Sequence, residues 1–217
     1  MKSVSPDHIR QNYAGLAATY DKRWRDFNRA VYRWILLRFP ELPEGAAVLD
    51  TGCGTGEMLR LIDEENPGLL LKGIDISPDM IAVARRVLPQ AAFAVGNIEA
   101  EPAEPRHAFD IVLSLNLLHH LNDPAGHLKK LDDFCAPRGR VFLCDFCTSA
   151  MPMKIADLFW RFFHPAHSRA FSRRMLRRMI KNAGFEIADS AVLKPGIFWR
   201  LQIYELIPPA APPLPQG

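Results

Sequence analysis

Residues 48–56 read Val48-Leu49-Asp50-Thr51-Gly52-Cys53-Gly54-Thr55-Gly56. A short apolar run climbs to an acid and then breaks into three alternating glycines. The apolar residues ahead of Asp50 fit a buried parallel strand. The glycines fit a turn that needs positive φ and close backbone approach to a ligand. A helical pattern begins near Thr55, and strand, glycine turn and helix together make the first unit of a doubly wound nucleotide-binding sheet. Which nucleotide the turn holds decides the function.

Downstream of this unit the alternation is regular. The pattern predicts a strand at 46–50, a helix from about 55 to 65 stopped by Pro67-Gly68, and a strand at 69–75. Ser77-Pro78-Asp79 then opens a helix over 78–87 with an N-cap and a first-turn proline. A short strand at 92–95, a polar loop at 100–108 and a strand at 109–115 follow. Asp123-Pro124 starts a helix running to about Cys135, and Pro137-Arg138-Gly139 turns into a strand at 140–146. A long insert at about 148–171 breaks the rhythm before a basic helix at 172–183. Two strand-like runs, 185–192 and 197–206, flank Pro195-Gly196 and read as a hairpin. The fold class expected is α/β: a Rossmann-like, doubly wound, seven-stranded sheet with an antiparallel edge hairpin, in three α/β/α layers. A dehydrogenase-type sheet would instead continue with parallel crossovers.

Upstream, Tyr13, Leu16, Tyr20, Trp24, Phe27, Val31, Trp34 and Ile35 recur at helical spacing. Residues 1–44 therefore form a helical segment whose aromatics either pack against the core or close over the site as a lid. Residues 45–207 form the main domain, and the Pro-rich residues 208–217 are expected to be a disordered tail.

The turn argues against phosphate. A dinucleotide fingerprint is G-x-G-x-x-G with the pyrophosphate on the helix N-terminus. Here the spacing is G-x-G-x-G, followed by Glu57, and Asp50 with Glu57 brackets the turn with negative charge. No Lys-Ser/Thr completes a phosphate-cradling loop. A carboxylate beside a glycine turn suits a ligand with an ammonium group and no phosphate. Asp75 ends the second strand, where a carboxylate can accept both hydroxyls of a ribose, unless it is only a turn acid. Asn97, in Gly96-Asn97-Ile98-Glu99, either reads an adenine edge with a neighbouring N–H or is a turn asparagine. Asn116 lies just past the fourth strand, at the carboxyl edge where ligands of such sheets bind.

Taken in order, V-L-D-T-G-C-G-T-G, G-I-D-I-S, G-N-I-E, F-D-I-V-L-S-L-N-L-L-H-H-L and A-P-R-G-R-V-F-L resemble the motifs of class I S-adenosylmethionine-dependent methyltransferases. The resemblance covers roughly residues 45–145, and the closing hairpin is similar to that family's last two strands. It implies that Asp50 and the loop Gly52, Cys53, Gly54 and Gly56 hold the methionine part of S-adenosylmethionine. It implies that Asp75, with Ile76 beside it, binds the ribose, and that Met80, Asn97 and Ile98 meet the adenine. In similar small-molecule enzymes a Tyr before a Y-D step, here Tyr20, approaches the methionine end. The Y-D step and the H-H-L run are loosely similar to quinone-biosynthesis methyltransferases. Methyl transfer from a sulfonium is an in-line displacement, so the chain mainly positions the nucleophile and excludes water. His119 and His120 lie where a general base would sit, or are structural. Tyr13 is expected to contact the substrate from the lid, and Trp160, Phe162, Phe163, His164 and His167 to form the opposite wall. A methyltransferase acting on tRNA or protein, and a non-catalytic cofactor-binding protein, are the rival readings.

Composition bounds the rest. Of 217 residues, 48% are hydrophobic and 24% charged, which is the balance of a soluble globular chain. No apolar run is long enough to span a bilayer and the first residues lack a signal-peptide core, so a cytoplasmic location is expected. Cys144-Asp-Phe-Cys147 has CxxC spacing, but it lies in a strand-like run and no second pair completes a metal set, so a structural role is expected and no metal. The net charge of +3 is segregated. Residues 1–40 carry eight Lys/Arg against three acids, residues 160–181 carry seven against none, and residues 41–159 carry ten against eighteen. The basic segments read as solvated helix faces, or as a basic rim at the mouth that meets an acidic substrate or anionic lipid. A small-molecule acceptor, no nucleic acid, peripheral membrane contact through the basic aromatic segments, and a monomer or homodimer are the partner expectations.

Overall fold

The structure, a computed structural model, describes residues 3–100, 104–164 and 166–209. It opens with α1 (Pro6–Ala14) and α2 (Tyr20–Leu36), joined through a 3-10 turn at Ala17–Thr19. Next come β1 (Ala47–Asp50), α3 (Glu57–Glu65), β2 (Leu70–Asp75), α4 (Pro78–Val87), β3 (Ala92–Val95) and β4 (Phe109–Leu115). A 3-10 turn at Leu118–His120 leads to α5 (Pro124–Phe134) and β5 (Cys135–Phe146). The chain then runs through α6 (Met151–Phe163), α7 (Arg173–Asn182), β6 (Glu186–Leu193) and β7 (Leu201–Ile207). Serine and aspartate caps set the starts of α4, α5 and α7, at Ser77 and Asp123 as the sequence predicts. Ser77 Oγ accepts from Met80 N, Asp123 from Gly126 N and Ser172 Oγ from Met175 N.

The seven strands form one sheet in the order β3-β2-β1-β4-β5-β7-β6. Strands β1 to β5 are parallel, and β7 inserts antiparallel between β5 and β6. Side chains alternate between two cores because strand residues alternate faces. Val48, Ile111, Leu113, Phe142 and Cys144 face the layer of α2, α3, α4 and α6. Leu49, Val112, Val141, Leu143 and Tyr204 face that of α5 and α7. Each such buried side chain contributes about 1.5–3 kcal/mol, and residues apolar on both faces cannot sit at a solvated surface. The order reverses direction at β1, whose neighbours are β2 and β4, so a crevice opens beyond the carboxyl ends of these strands.

Several boundaries differ from expectation. β5 begins at Cys135, not at 140: the register passes from Phe109↔Cys135 to Ile111↔Arg140, so Pro137-Arg138-Gly139 is a bulge within the strand. Glycine is needed there because a Cβ on Gly139 would lie 2.6 Å from the Asp110 carbonyl oxygen. The hairpin loop is longer than Pro195-Gly196; β7 starts at Leu201 because Trp199 turns into an aromatic cluster. The insert contains the helix α6. Helix α7 packs on the α5 layer, and Arg173 and Arg177 donate to Ser190 Oγ on β6. The expected loop residues 101–103 and tail residues 210–217 lie outside the described residues. All four cysteines are free and buried, and among the described residues no cluster of three or more metal-ligating side chains occurs. No helix among them is long and apolar enough to cross a membrane.

Candidate active site

The glycine turn is held by carboxylates. Asp75 Oδ2 accepts from Gly54 N at 2.9 Å and its Oδ1 from Ser77 N at 2.8 Å, which clamps the turn to the start of α4. Asp50 Oδ1 accepts from Gly52 N at 3.3 Å. Gly54 and Gly56 have φ of 51° and 78°, the left-handed region that glycine enters without strain. Gly56 also lets α3 approach α4, since a Cβ there would sit 3.1 Å from Ala84 Cβ. Sequence reading missed a fourth glycine. A Cβ on Gly73 of β2 would lie 2.7 Å from both Cys53 Sγ and the Phe93 ring, so only glycine lets the turn lie against this strand. Its signal is a glycine inside an apolar strand, which often marks close backbone approach.

Two buried acids face each other across this turn. Burial pushes the Asp50 carboxyl up to about 7, and the nearby Asp75 charge adds to the rise. Asp75 is raised by burial in spite of its backbone donors. Glu57 corrects the sequence argument: both its oxygens take Arg60, at 2.7 and 2.8 Å, and it lies outside the cavity. The acidity that disfavours phosphate therefore comes from Asp50 and Asp75, with Glu99 a third acid on the cavity's lining. Asp21 of α2 reaches the turn from above and accepts from Thr55 Oγ1 at 2.7 Å.

The cavity beyond the strand ends brings together Tyr20, Asp50, Gly52, Cys53, Gly54, Asp75, Ile76, Met80, Asn97, Ile98 and Asn116. Gly56 shapes the turn without lining it. Asn97 Oδ1 accepts from Glu99 N at 3.1 Å, so its oxygen serves a turn and keeps one lone pair, beside the amide N–H groups, for a ligand. Asn116 is held at φ 54°, its N–H donates to the Cys144 carbonyl, and its Oδ1 is buried without a partner. An orphaned acceptor beside two carboxylates fits a ligand rich in donors. Ammonium and hydroxyl groups meet that requirement, with Met80 and Ile98 as an apolar floor for a ring. Residues near the N-terminus cover the cavity. Val4 N donates to Asn122 Oδ1 at 2.7 Å, Asn122 Nδ2 donates back to Val4 O, and Arg10 Nε donates to Ile76 O.

A second cavity shares Tyr13, Tyr20, Asn116 and His120 with the first. Its far wall is aromatic: Trp24, Phe27, Phe146, Trp160 and Trp199, with Trp160 stacked on Trp199 at 5.5 Å. Of the residues expected to form the opposite wall, Trp160, His164 and His167 line this cavity, whereas Phe162 and Phe163 do not. The inward stripe of α6 is Met153, Asp157, Trp160 and His164, whereas Phe163 is 71% exposed and packs on Phe159. Arg23 is the one Lys or Arg lining this cavity among the described residues, and no acid lines it. Trp24 and Phe27 stand out in the sequence only as members of a packing stripe, and Trp199 carries no sequence signal.

The histidines have distinct jobs. His120 Nδ1 faces the Ala166 carbonyl and must donate to it, so Nε2 is the acceptor of the Tyr13 hydroxyl at 2.8 Å. Burial holds both His119 and His120 well below the usual imidazole range, so both are neutral at pH 7. His119 instead turns Nδ1 to Asp145 at 2.9 Å, and that buried carboxyl is pushed up to about 7.

A family described as "Methyltransferase domain" matches residues 22–190. The chain is 30% identical over 195 residues to demethylspheroidene O-methyltransferase of Rhodobacter capsulatus, covering 87% of this chain and 49% of that one. It is 33% identical over 109 residues to ubiquinone biosynthesis O-methyltransferase of Xanthomonas axonopodis, covering 46% and 43%. The chain thus spans about half the length of the curated relatives it matches. Among solved structures, magnesium protoporphyrin IX methyltransferase of Synechocystis with bound SAH superposes with a TM-score of 0.69. The two share 19% identity over 94% of this chain and 100% of that one.

Proposed function

This chain belongs to the methyltransferase-domain family, class I and dependent on S-adenosylmethionine, and from that premise we propose that it methylates a small, lipophilic or aromatic acceptor. The observation that carries the reading is the junction of two unlike cavities at Tyr13, Tyr20, Asn116 and His120. One side is carboxylate-lined and suits a charged, hydroxyl-bearing ligand; the other is aromatic. The relatives named for demethylspheroidene and ubiquinone support an acceptor of that kind.

S-adenosylmethionine, when bound, supplies an electrophilic methyl group on a sulfonium. In this reading Asp50 takes the ammonium and Asp75 the ribose hydroxyls, while Ile76, Met80, Asn97 and Ile98 hold the adenine. Asn116 Oδ1 gains a donor it lacks in the free chain. Tyr20 stands at the junction, and the segment from Val4 to Tyr20 acts as the lid that keeps water from it. Trp160, His164 and Tyr13 hold the acceptor against that junction. Neutral His120 carries its Nε2 lone pair toward the same place, so an acceptor hydroxyl that displaces Tyr13 can hand its proton there. His119, tied to Asp145, positions its neighbour.

The test is a methyl-transfer screen with labelled cofactor against phenols, quinols, amines, thiols, fatty acids and total tRNA. Label on a phenol or quinol is the expected result. Label confined to tRNA or protein, or tight cofactor binding with no transfer at all, would overturn the proposal. With a hydroxyl acceptor, His120→Ala should lower kcat by about 10²-fold or more.

A further inference from the structure

Helix α6 is amphipathic in the wrong sense for a helix with one free side. Its inward stripe carries Asp157 and His164, whereas its outer face carries large apolar side chains. Met151, Ile155, Leu158, Phe159, Phe162 and Phe163 are 56–75% exposed, and they follow one another at spacings of one, three and four. An apolar face of this size on the surface marks a contact with something. The connection between β6 and β7 extends it. Trp199 stacks on Trp160 and ties this loop to α6, and its tip leaves Ile197 97% and Phe198 43% exposed.

The charge around this patch has one sign. Lys154 and Arg161 lie on α6, and Lys194 and Arg200 flank the loop tip. Over residues 146–185 the one acid is Asp157, buried and shared by Arg161, His167 and the Ala170 N–H. Residues 190–200 contain no acid at all. We infer that α6 and the 194–200 connection form a docking face for an anionic lipid bilayer. The helix lies in the plane of the headgroups, its apolar side chains reach the acyl boundary and Lys154, Lys194 and Arg200 meet lipid phosphates, Arg161 being held by Asp157. A second copy of the chain is a poorer occupant, because a self-pairing of this face would juxtapose its own cations. The same helix presents Trp160 and His164 to the acceptor cavity, so the docked face adjoins that cavity's wall. Its role, resting on the proposed lipophilic acceptor, is to let such an acceptor pass from bilayer to site without crossing water.

Sedimentation of the full chain with vesicles of phosphatidylcholine, with or without phosphatidylglycerol, tests this. The chain should pellet with the anionic vesicles at low salt and largely leave them at high salt. Ile155→Ser combined with Phe162→Ser should cut the bound fraction roughly tenfold or more, and Lys154→Glu with Lys194→Glu should act similarly. SAH affinity by calorimetry and transfer to a water-soluble phenol serve as independent readouts, and both should be unchanged in these variants. If vesicle binding fails while transfer to the soluble phenol persists, the docking face is wrong and the methyltransferase reading stands. Equal pelleting of I155S/F162S and the parent would overturn the inference. So would a concentration-dependent dimer that the same pair disperses in the absence of vesicle binding.

Discussion

At the scale of single residues, Asp50 sets a conflict between stability and binding. Its carboxyl is 2% exposed and ionises at about 7 in the free chain, against about 3.9 in an unfolded one. As pH rises from 4 toward 7 the unfolded chain releases this proton and the folded chain keeps it, so Asp50 lowers stability across that window. Asp50→Asn should therefore stabilise the ligand-free protein at pH 8 by about 1–3 kcal/mol, read from thermal or denaturant unfolding. The same substitution should sharply weaken binding of S-adenosylhomocysteine if the side chain takes its ammonium. Binding then needs ionised Asp50, and the dissociation constant should rise about tenfold per pH unit below 7 and level off above it. A flat constant from pH 8 to 5.5 would remove Asp50 from the ammonium. Asp75→Ala carries a different signature. It breaks two backbone hydrogen bonds within the free turn as well as any ribose contact, so both stability and affinity should fall, each by about 1–3 kcal/mol.

At the scale of elements, the strands and the turn were legible because burial on both faces of a parallel sheet writes long apolar runs and a left-handed turn demands glycine. What stayed hidden was contact between elements. Nothing in the spacing of β2 says that Gly73 must admit Cys53 and Phe93, and nothing near Pro137 says that β5 already began at Cys135. Helix α6 is the clearest case. Its polar residues Lys154, Asp157 and Arg161 recur at spacings of three and four, a stripe that a sequence reading turns toward solvent, yet Asp157 is buried, so the pattern could not tell Phe163 from Trp160 as a wall residue. The packing decided it. Gly73→Ala should cost about 1–3 kcal/mol and weaken cofactor binding, because the added methyl displaces the turn itself. Gly15→Ala is the control. Gly15 has φ of −83°, and a Cβ added there would meet nothing within 4 Å, so the change should be neutral or stabilising by about 0.5–1 kcal/mol. Equal losses in both variants would mean that the crowding at Gly73 is relieved without effect on the turn.

At the scale of the whole molecule, the site is complete only when the N-terminal segment is seated on the sheet. That seat is built from few parts. Val4 and Ile9 bury against Ala166 in a core separate from the two main ones. Among the described residues the segment is also tied by the paired hydrogen bonds with Asn122, Arg10 to Ile76, Tyr13 to His120 and Asp21 to Thr55, and α1 packs against α4. Segments with so small a core open at free energies well below global unfolding. Val4, Ile9 and Tyr13 also line the cavity assigned to the cofactor, so a ligand there adds contacts that exist only when the segment is down. Amide exchange over residues 5–20 should accordingly be fast in the free protein and slow by about tenfold or more on saturation with S-adenosylhomocysteine. Exchange in β1, β4 and β5 should change little. Asn122→Ala removes two of the ties, together with the Asn122 Nδ2 bond to Glu99 Oε2, and leaves Asp50 and Asp75 in place, so it should raise the free-state exchange rate of α1 and weaken the ligand severalfold. Protection confined to the glycine turn, with α1 exchanging at the same rate in both states, would show that the segment is a fixed wall and not a lid.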